Sequence, residues 1–472
     1  MSLFDQHDVT PRDSSSIFTT DIMWQSLASE LIFEILIHAF SGSKLVVFQP
    51  HLFPWYLGQI CQSWRVVFVT SPQFWNAFHI DFWNVMTLIP PKRLLEADLP
   101  FAQRALELVM LCIHRSKDYP ILFKYITTAS DLDEKRPLLR FHCQILAALV
   151  AESARWQEAD IVLQPEEVAI FREVHASFPL LHALQFSVID DPDDRRATIL
   201  NTFSNAPHLT RVVMEFDRRL KLPWPIMKAM EIRVANDLIP ACLDALRATR
   251  CLETLTLTYH VKRDATAVVG RFTTVTLPSL KILYVDCATN LILFRCPNLE
   301  QLWVDKVQFT NAELSSFCDG ISAFFSSVHH LRSFVCEPQS TASARIIWQH
   351  MPRTDYLNLI TRNTATLDSL ISSCPNTFYL RSLTLEFGLR YPGELDIWFS
   401  SFAAIIKASG QGNTEERRFG NIEVIELKIP DHLIPASAEL EKECDARGIQ
   451  LVVQRGYFQP MRSEYDVKIL NI

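Results

Sequence analysis

The chain has 472 residues, of which 49% are apolar and 21% charged, the balance of a globular protein with a sizeable core. At ~150 residues each this is about three domains' worth of sequence. A net charge of −8 argues against a phosphate-binding surface spread over the whole molecule, because nucleic-acid backbones are held by neutralising Lys and Arg. Only 11 residues are Gly, which disfavours nucleotide-binding enzymes that cradle phosphates in glycine-rich loops.

The 11 cysteines, an odd number without a C-x-x-C pair, read as buried free thiols. The N-terminus is polar, and the longest apolar runs, such as QILAALVA (144–151), are far shorter than the ~18 residues of a membrane span. The expectation is a soluble intracellular protein, cytoplasmic, nuclear or both.

Residues 1–22 read as a flexible leader. In SLASELIFEILIHAF, Leu27, Leu31, Ile35 and Ala39 recur at helical spacing, with Ile32 and Leu36 widening the stripe. Ser26 or Ser29 can cap this helix. After a stretch broken by Gly42, Pro50 and Pro54, a second amphipathic helix is expected through Leu57, Ile60, Cys61, Trp64 and Phe68, ended by Ser71-Pro72. A third apolar unit, QFWNAFHIDFW, closes the block at about residue 83. Residues 84–155 read as a mainly helical linker, with helices over 102–116 and 141–154 and a strand at 120–126.

From residue 156 to 472 the chain repeats. A large apolar residue recurs at i, i+3 and i+5, as in Leu181-Leu184-Phe186, Leu252-Leu255-Leu257, Leu280-Leu283-Val285, Leu299-Leu302-Val304 and Leu380-Leu383-Leu385. Eleven copies start between Trp156 and Ile422, two of them (Trp156 and Thr354) weaker, at a mean period of about 27, within the range of leucine-rich repeats. Helix-like runs precede many copies, at 197–206, 241–250, 364–373 and 402–409. The fold class expected is α/β: short parallel strands and helices stacked into an irregular solenoid, behind a small three-helix N-terminal module. The residues expected on the strand-lined concave face are led by Arg211, Glu231, Arg233, Tyr284, Asp286, Trp303 and Asp305. Tyr284 and Trp303 should lie side by side as a recognition hot spot.

Catalytic and metal motifs are missing: there is no Walker loop, G-x-S-x-G or H-E-x-x-H. The DDPDDRR run (190–196) reads as a solvated turn and SGQGNTEERR (409–418) as a mobile loop. The adjacent pairs His142-Cys143 and His329-His330 point apart and do not chelate. No enzyme activity, cofactor or metal is expected. An enzyme with a site hidden in 84–155 is the rival that a deep pocket with converging, strongly perturbed ionisable groups would favour.

Within a domain expected over 23–83, residues 27–78 resemble an F-box, in the form seen in the large F-box family of mushroom-forming fungi. The matching residues are Leu27, Glu30, Leu31, Ile35 and Leu36, then Leu57, Ile60, Cys61, Trp64, Arg65, Ser71, Pro72, Phe74 and Trp75. The chain departs from that pattern at Ala28, where Pro is usual, and in the long 41–56 segment. The resemblance implies a non-catalytic substrate receptor of a cullin-RING (SCF-type) ubiquitin ligase. Its F-box would hold a Skp-type adaptor, and through it a cullin, by Leu27, Leu31, Ile35, Leu57, Ile60, Trp64 and Trp75. Its repeats would capture a protein substrate; neither nucleic acid nor membrane is a partner. The alternative is a repeat scaffold that no longer binds the adaptor.

Overall fold

The computed structural model describes residues 27–40, 44–47, 55–82, 94–127, 136–173, 177–189, 201–260, 273–307, 314–329, 331–361, 364–373, 380–387, 400–406, 422–429 and 437–455. The expected leader, the 190–196 turn and the 409–418 loop lie outside these. The architecture is α/β, with parallel strands in chain order and helices between them. The chain forms two compact units: Met1–Val212 with Arg219–Pro223, and Val213–Arg218 with Trp224–Ile472. The sequence boundaries at 83/84 and 155/156 both fall inside the first unit.

In the first unit the strands are β1 (Leu45–Val46), β2 (Ala77–Asp81), β3 (Ile121–Ile126), β4 (Trp156–Leu163) and β5 (Ala183–Val188), each parallel to the next. Their register aligns Leu45, Phe78, Phe123, Ala159 and Leu184 in one buried row. Among the described residues, strand stacking therefore begins at Leu45, well before the first expected copy at Trp156. Trp75, Phe78 and Ile80 already carry the i, i+3, i+5 pattern. The third unit of the N-terminal block is consequently a 3₁₀ turn (Pro72–Phe74) running into β2, and not a helix. The helices of this unit include Ser29–Phe40, Gln62–Thr70, Leu94–Ser116 and Arg136–Ala151. The core is aromatic: Trp156 meets Phe123 at 4.7 Å and Phe178 at 5.2 Å between ring centroids.

The strand β6 (Arg211–Glu215) spans the boundary between the units. The second unit continues with β7 (Ala229–Ala235), β8 (Thr254–His260), β9 (Val275–Thr276), β10 (Ile282–Cys287), β11 (Phe294–Arg295) and β12 (Gln301–Val307). It ends with β13 (Ser333–Pro338), β14 (Tyr356–Thr361), β15 (Ser382–Phe387), β16 (Val424–Ile429) and β17 (Gln450–Arg455). β9 and β11 form a small parallel pair of their own, and the other strands from β7 to β17 pair in parallel in chain order. Two apolar rows cross it in register. Met230, Leu255, Leu283, Leu302, Phe334, Leu357, Leu383 and Ile425 form the first, and Ile232, Leu257, Val285, Val304, Cys336, Leu359, Leu385 and Leu427 the second. All sixteen are buried. At about 1.5–3 kcal/mol for each fully buried large aliphatic side chain, these rows contribute a large stabilising term to the unit.

What fills the space between strands follows the spacing of the copies. From Leu280 to Leu299, 19 residues, the chain holds the 3₁₀ turn Ala288–Leu293 and the two-residue β11 in place of an α-helix. Longer spacings carry α-helices, such as Ile239–Arg247, Leu314–Ser327, Thr341–His350 and Thr364–Ser373. Ser340 caps Thr341–His350 by accepting the Ser343 N–H at 3.2 Å. Of the run expected to be helical over 197–206, residues 197–200 lie outside the described residues, and the rest holds a 3₁₀ turn, Thr202–Asn205. Gly320 lets Leu314–Ser327 lie against the 3₁₀ turn, since a Cβ there would sit 2.6 Å from Ile292 Cγ2. No helix among the described residues is long and apolar enough to cross a membrane.

Candidate protein-binding surfaces

The helix Ser29–Phe40 carries two apolar stripes, one residue apart. Ile32, Leu36 and Phe40 are buried and hold the core. Phe40 and Phe33 both pack on Phe74, with ring centroids 5.1 and 5.6 Å apart. Leu31 and Ile35 point the other way and are 55% and 41% exposed. They stand four residues apart, one turn above the other on the same face. The stripe expected to define the helix is therefore its outer face. Ala28, and not Ser29, sits at the capping position: its carbonyl accepts the Ile32 N–H at 3.1 Å, while the Ser29 hydroxyl donates to Glu30.

The other residues of the proposed adaptor set divide in the same way. Ile60 is exposed and Leu27 half-buried. Leu57, Trp64 and Trp75 are buried, so they build the module and do not present a surface. Trp75 is tied from several sides. Its indole N–H donates to the Phe68 carbonyl at 2.8 Å, Trp55 meets it edge-on at 5.7 Å, and the Arg115 guanidinium lies 4.3 Å from its ring centroid. Tyr56 and Val66 are also exposed. Val66 could have been noticed as an apolar residue off the Trp64-Val67-Phe68 stripe of Gln62–Thr70.

On the second unit, the face opposite the buried rows carries the alternating positions. Tyr284 and Trp303 are register partners on β10 and β12, in an edge-to-face pair at 6.5 Å and 78°. Both are half-buried, as are Glu231 and Asp305, while Arg233 is exposed. Arg211 is half-buried and belongs to the first unit. Asp286 is engaged within the fold: its carboxylate accepts the Tyr259 N–H at 2.7 Å and the Asn290 amide at 3.1 Å. Burial raises its pKa to about 6, with the Asp305 charge adding to the shift. Tyr356, 52% exposed, joins this face from the weak copy at Thr354, and the faintness of that copy hid it.

Perturbed ionisable groups converge in the first unit. Glu167 and Tyr125 are fully buried and His142 nearly so. The Tyr125 hydroxyl donates to Glu167 Oε1 at 2.5 Å, and the Gln164 N–H donates to Oε2 at 2.8 Å. His142 Nδ1 lies 3.2 Å from Thr127 Oγ1. The bonds join β3, the helix Arg136–Ala151 and the turn after β4, so the cluster staples these elements together with its polar atoms turned on one another.

The cluster gives a pH prediction. Burial, the largest cause, raises the Glu167 pKa from 4.5 to about 7. An acid with a raised folded-state pKa contributes its full stability below the unfolded value and loses it as pH rises through the folded one. Burial lowers His142 to about 4, so its contribution is present above its ordinary value of 6.5 and lost as pH falls toward 4. Glu167→Gln keeps the neutral shape and removes only the first of these. Relative to that variant, the native chain should lose about 3 kcal/mol as pH rises from 4.5 through 7, read from urea midpoints. Parallel pH profiles would show that the carboxyl does not titrate in this window.

Among the described residues, no group of three or more His, Cys, Asp or Glu side chains is placed to hold a metal ion. No protein-family model matches the chain, and no curated protein matches it in sequence.

Proposed function

We propose that this chain is the non-catalytic substrate-recognition subunit of a cullin-RING ubiquitin ligase. The N-terminal block would bind a Skp-type adaptor, and the repeats would bind a protein substrate. The reading rests on the F-box-like order of residues from Leu27 to Trp75. The observation that carries it is the outward stripe of Leu31 and Ile35, with Ile60 exposed on the same block. Large apolar side chains left outside a filled core mark a partner surface. In this reading the receptor performs no bond chemistry. It raises the effective concentration of substrate near the charged ubiquitin carrier. Capture is assigned to the open sheet face around Tyr284 and Trp303, an aromatic pair of the kind that anchors interfaces.

The test is co-expression of the full chain with a Skp-type adaptor, followed by size-exclusion chromatography. The expected result is co-elution as a one-to-one complex, lost in the double variant Leu31→Asp, Ile35→Asp with its melting temperature unchanged, because both side chains are solvent-facing. A folded chain that elutes apart from the adaptor would overturn the receptor reading and leave an adaptor-independent repeat scaffold.

A further inference from the structure

The residue at position i+1 of each copy in the second unit opens its strand at the sheet rim. Along the chain these residues are Lys228, Glu253, Lys281 and Glu300, then Arg332, Asp355, Arg381 and Glu423. The charges alternate without a break over eight successive strands. The backbone makes them neighbours: each carbonyl accepts the N–H of the next residue in the series, Lys228 O from Glu253 N at 2.8 Å through Arg381 O from Glu423 N at 2.8 Å. Lys281 Nζ reaches Glu253 at 2.9 Å and Arg332 reaches Glu300 at 3.8 Å. The Glu253 pKa is lowered by Lys281 first and Lys228 after it, so this carboxylate feels the rungs on both sides. The series stops where i+1 becomes uncharged, at Thr210 before it and Ile449 after it.

The buried rows cannot tell one copy from another, since every strand offers apolar residues at i+3 and i+5. A strand that bypassed its neighbour and paired with the next one would still bury a good core. The rim distinguishes the two outcomes, because like charges directly opposite each other across strands are destabilising. If β8 bypassed β10 and paired with β12, Glu253 would face Glu300. With a period of two, every bypass of a single copy sets like against like.

We propose that this alternating rim ladder sets the order of the strands in the second unit, by disfavouring pairings that skip one copy. The skip can be trapped. Thr254 and Gln301 both pair with Ile282, one on each side. They stand two strand spacings apart, about 9.6 Å, beyond the ~7 Å that a disulfide can span. The full chain carrying Thr254→Cys and Gln301→Cys is refolded from urea under oxidation at low ionic strength, and the 254–301 cross-link is quantified by peptide mass spectrometry. Three rims of equal charge content are compared: the native one, one with all eight charges inverted, and one with Lys281→Glu and Glu300→Lys exchanged. The exchange sets Glu253 beside a Glu in the native order and beside a Lys in the skipped order. The cross-linked fraction should rise about threefold with the exchanged rim only, and added salt should erase the difference. Equal fractions on all three rims would overturn the proposal. If the exchanged chain gives no soluble product, the inverted rim decides: refolding in native yield supports the ladder, and failure like the exchanged chain refutes it.

Discussion

Leu302→Asp should unfold the second unit. Leu302 is 1% exposed on β12, between Leu283 and Phe334 in the first buried row. The substitution removes the apolar burial of one leucine, leaves part of its volume empty, and sets a carboxylate among aliphatic side chains with no cation in either row. Together these cost about 5 kcal/mol or more, as much as the whole stability of many domains. The expected readout is loss of far-ultraviolet circular dichroism at a temperature where the native chain is folded. Leu302→Met, which conserves volume, should cost less than about 1.5 kcal/mol. A chain that tolerates Asp at 302 would mean that the rows are not the core of this unit.

Trp64→Ala should destabilise the first unit by about 3–5 kcal/mol. Trp64 is 5% exposed and lies on the inner stripe of Gln62–Thr70 with Val67 and Phe68. Loss of adaptor binding in this variant would therefore follow from loss of the module and not from loss of a contact. Urea unfolding and adaptor binding measured on one preparation separate the two: the midpoint falls with Trp64→Ala and stays with the Leu31, Ile35 pair. An unchanged midpoint for Trp64→Ala would place the indole outside the core.

The repeat architecture was legible because a parallel strand buried on one side has a short, rigid signature. The spacing i, i+3, i+5 located strands at eleven positions, and even the weak copy at Thr354 leads into β14, with Leu357 and Leu359 buried. The helix expected over 364–373 runs over those residues. Where the same signature is overlaid it is hidden: Trp75-Phe78-Ile80 sits among so many other large residues that the segment reads as helix. Orientation was harder than existence. In SELIFEILIHAF the apolar residues cover most of the helix circumference, so periodicity alone could not choose between the Leu31 and Ile32 stripes. That choice belongs to Phe33, Phe40 and Phe74, which meet only in the fold. The Glu167 cluster had no sequence signal, since Tyr125, His142 and Glu167 come from three separate elements.

The charged rim has a consequence for how such a chain can change length over generations. Duplicating or deleting a single copy inside the series would leave both apolar rows continuous, and the core would register no fault. The same event would bring two like charges together at the junction. Gain or loss of copies in twos leaves the alternation whole. If the rim sets strand order, parity, invisible to the hydrophobic interior, would constrain copy number from the solvent-facing edge.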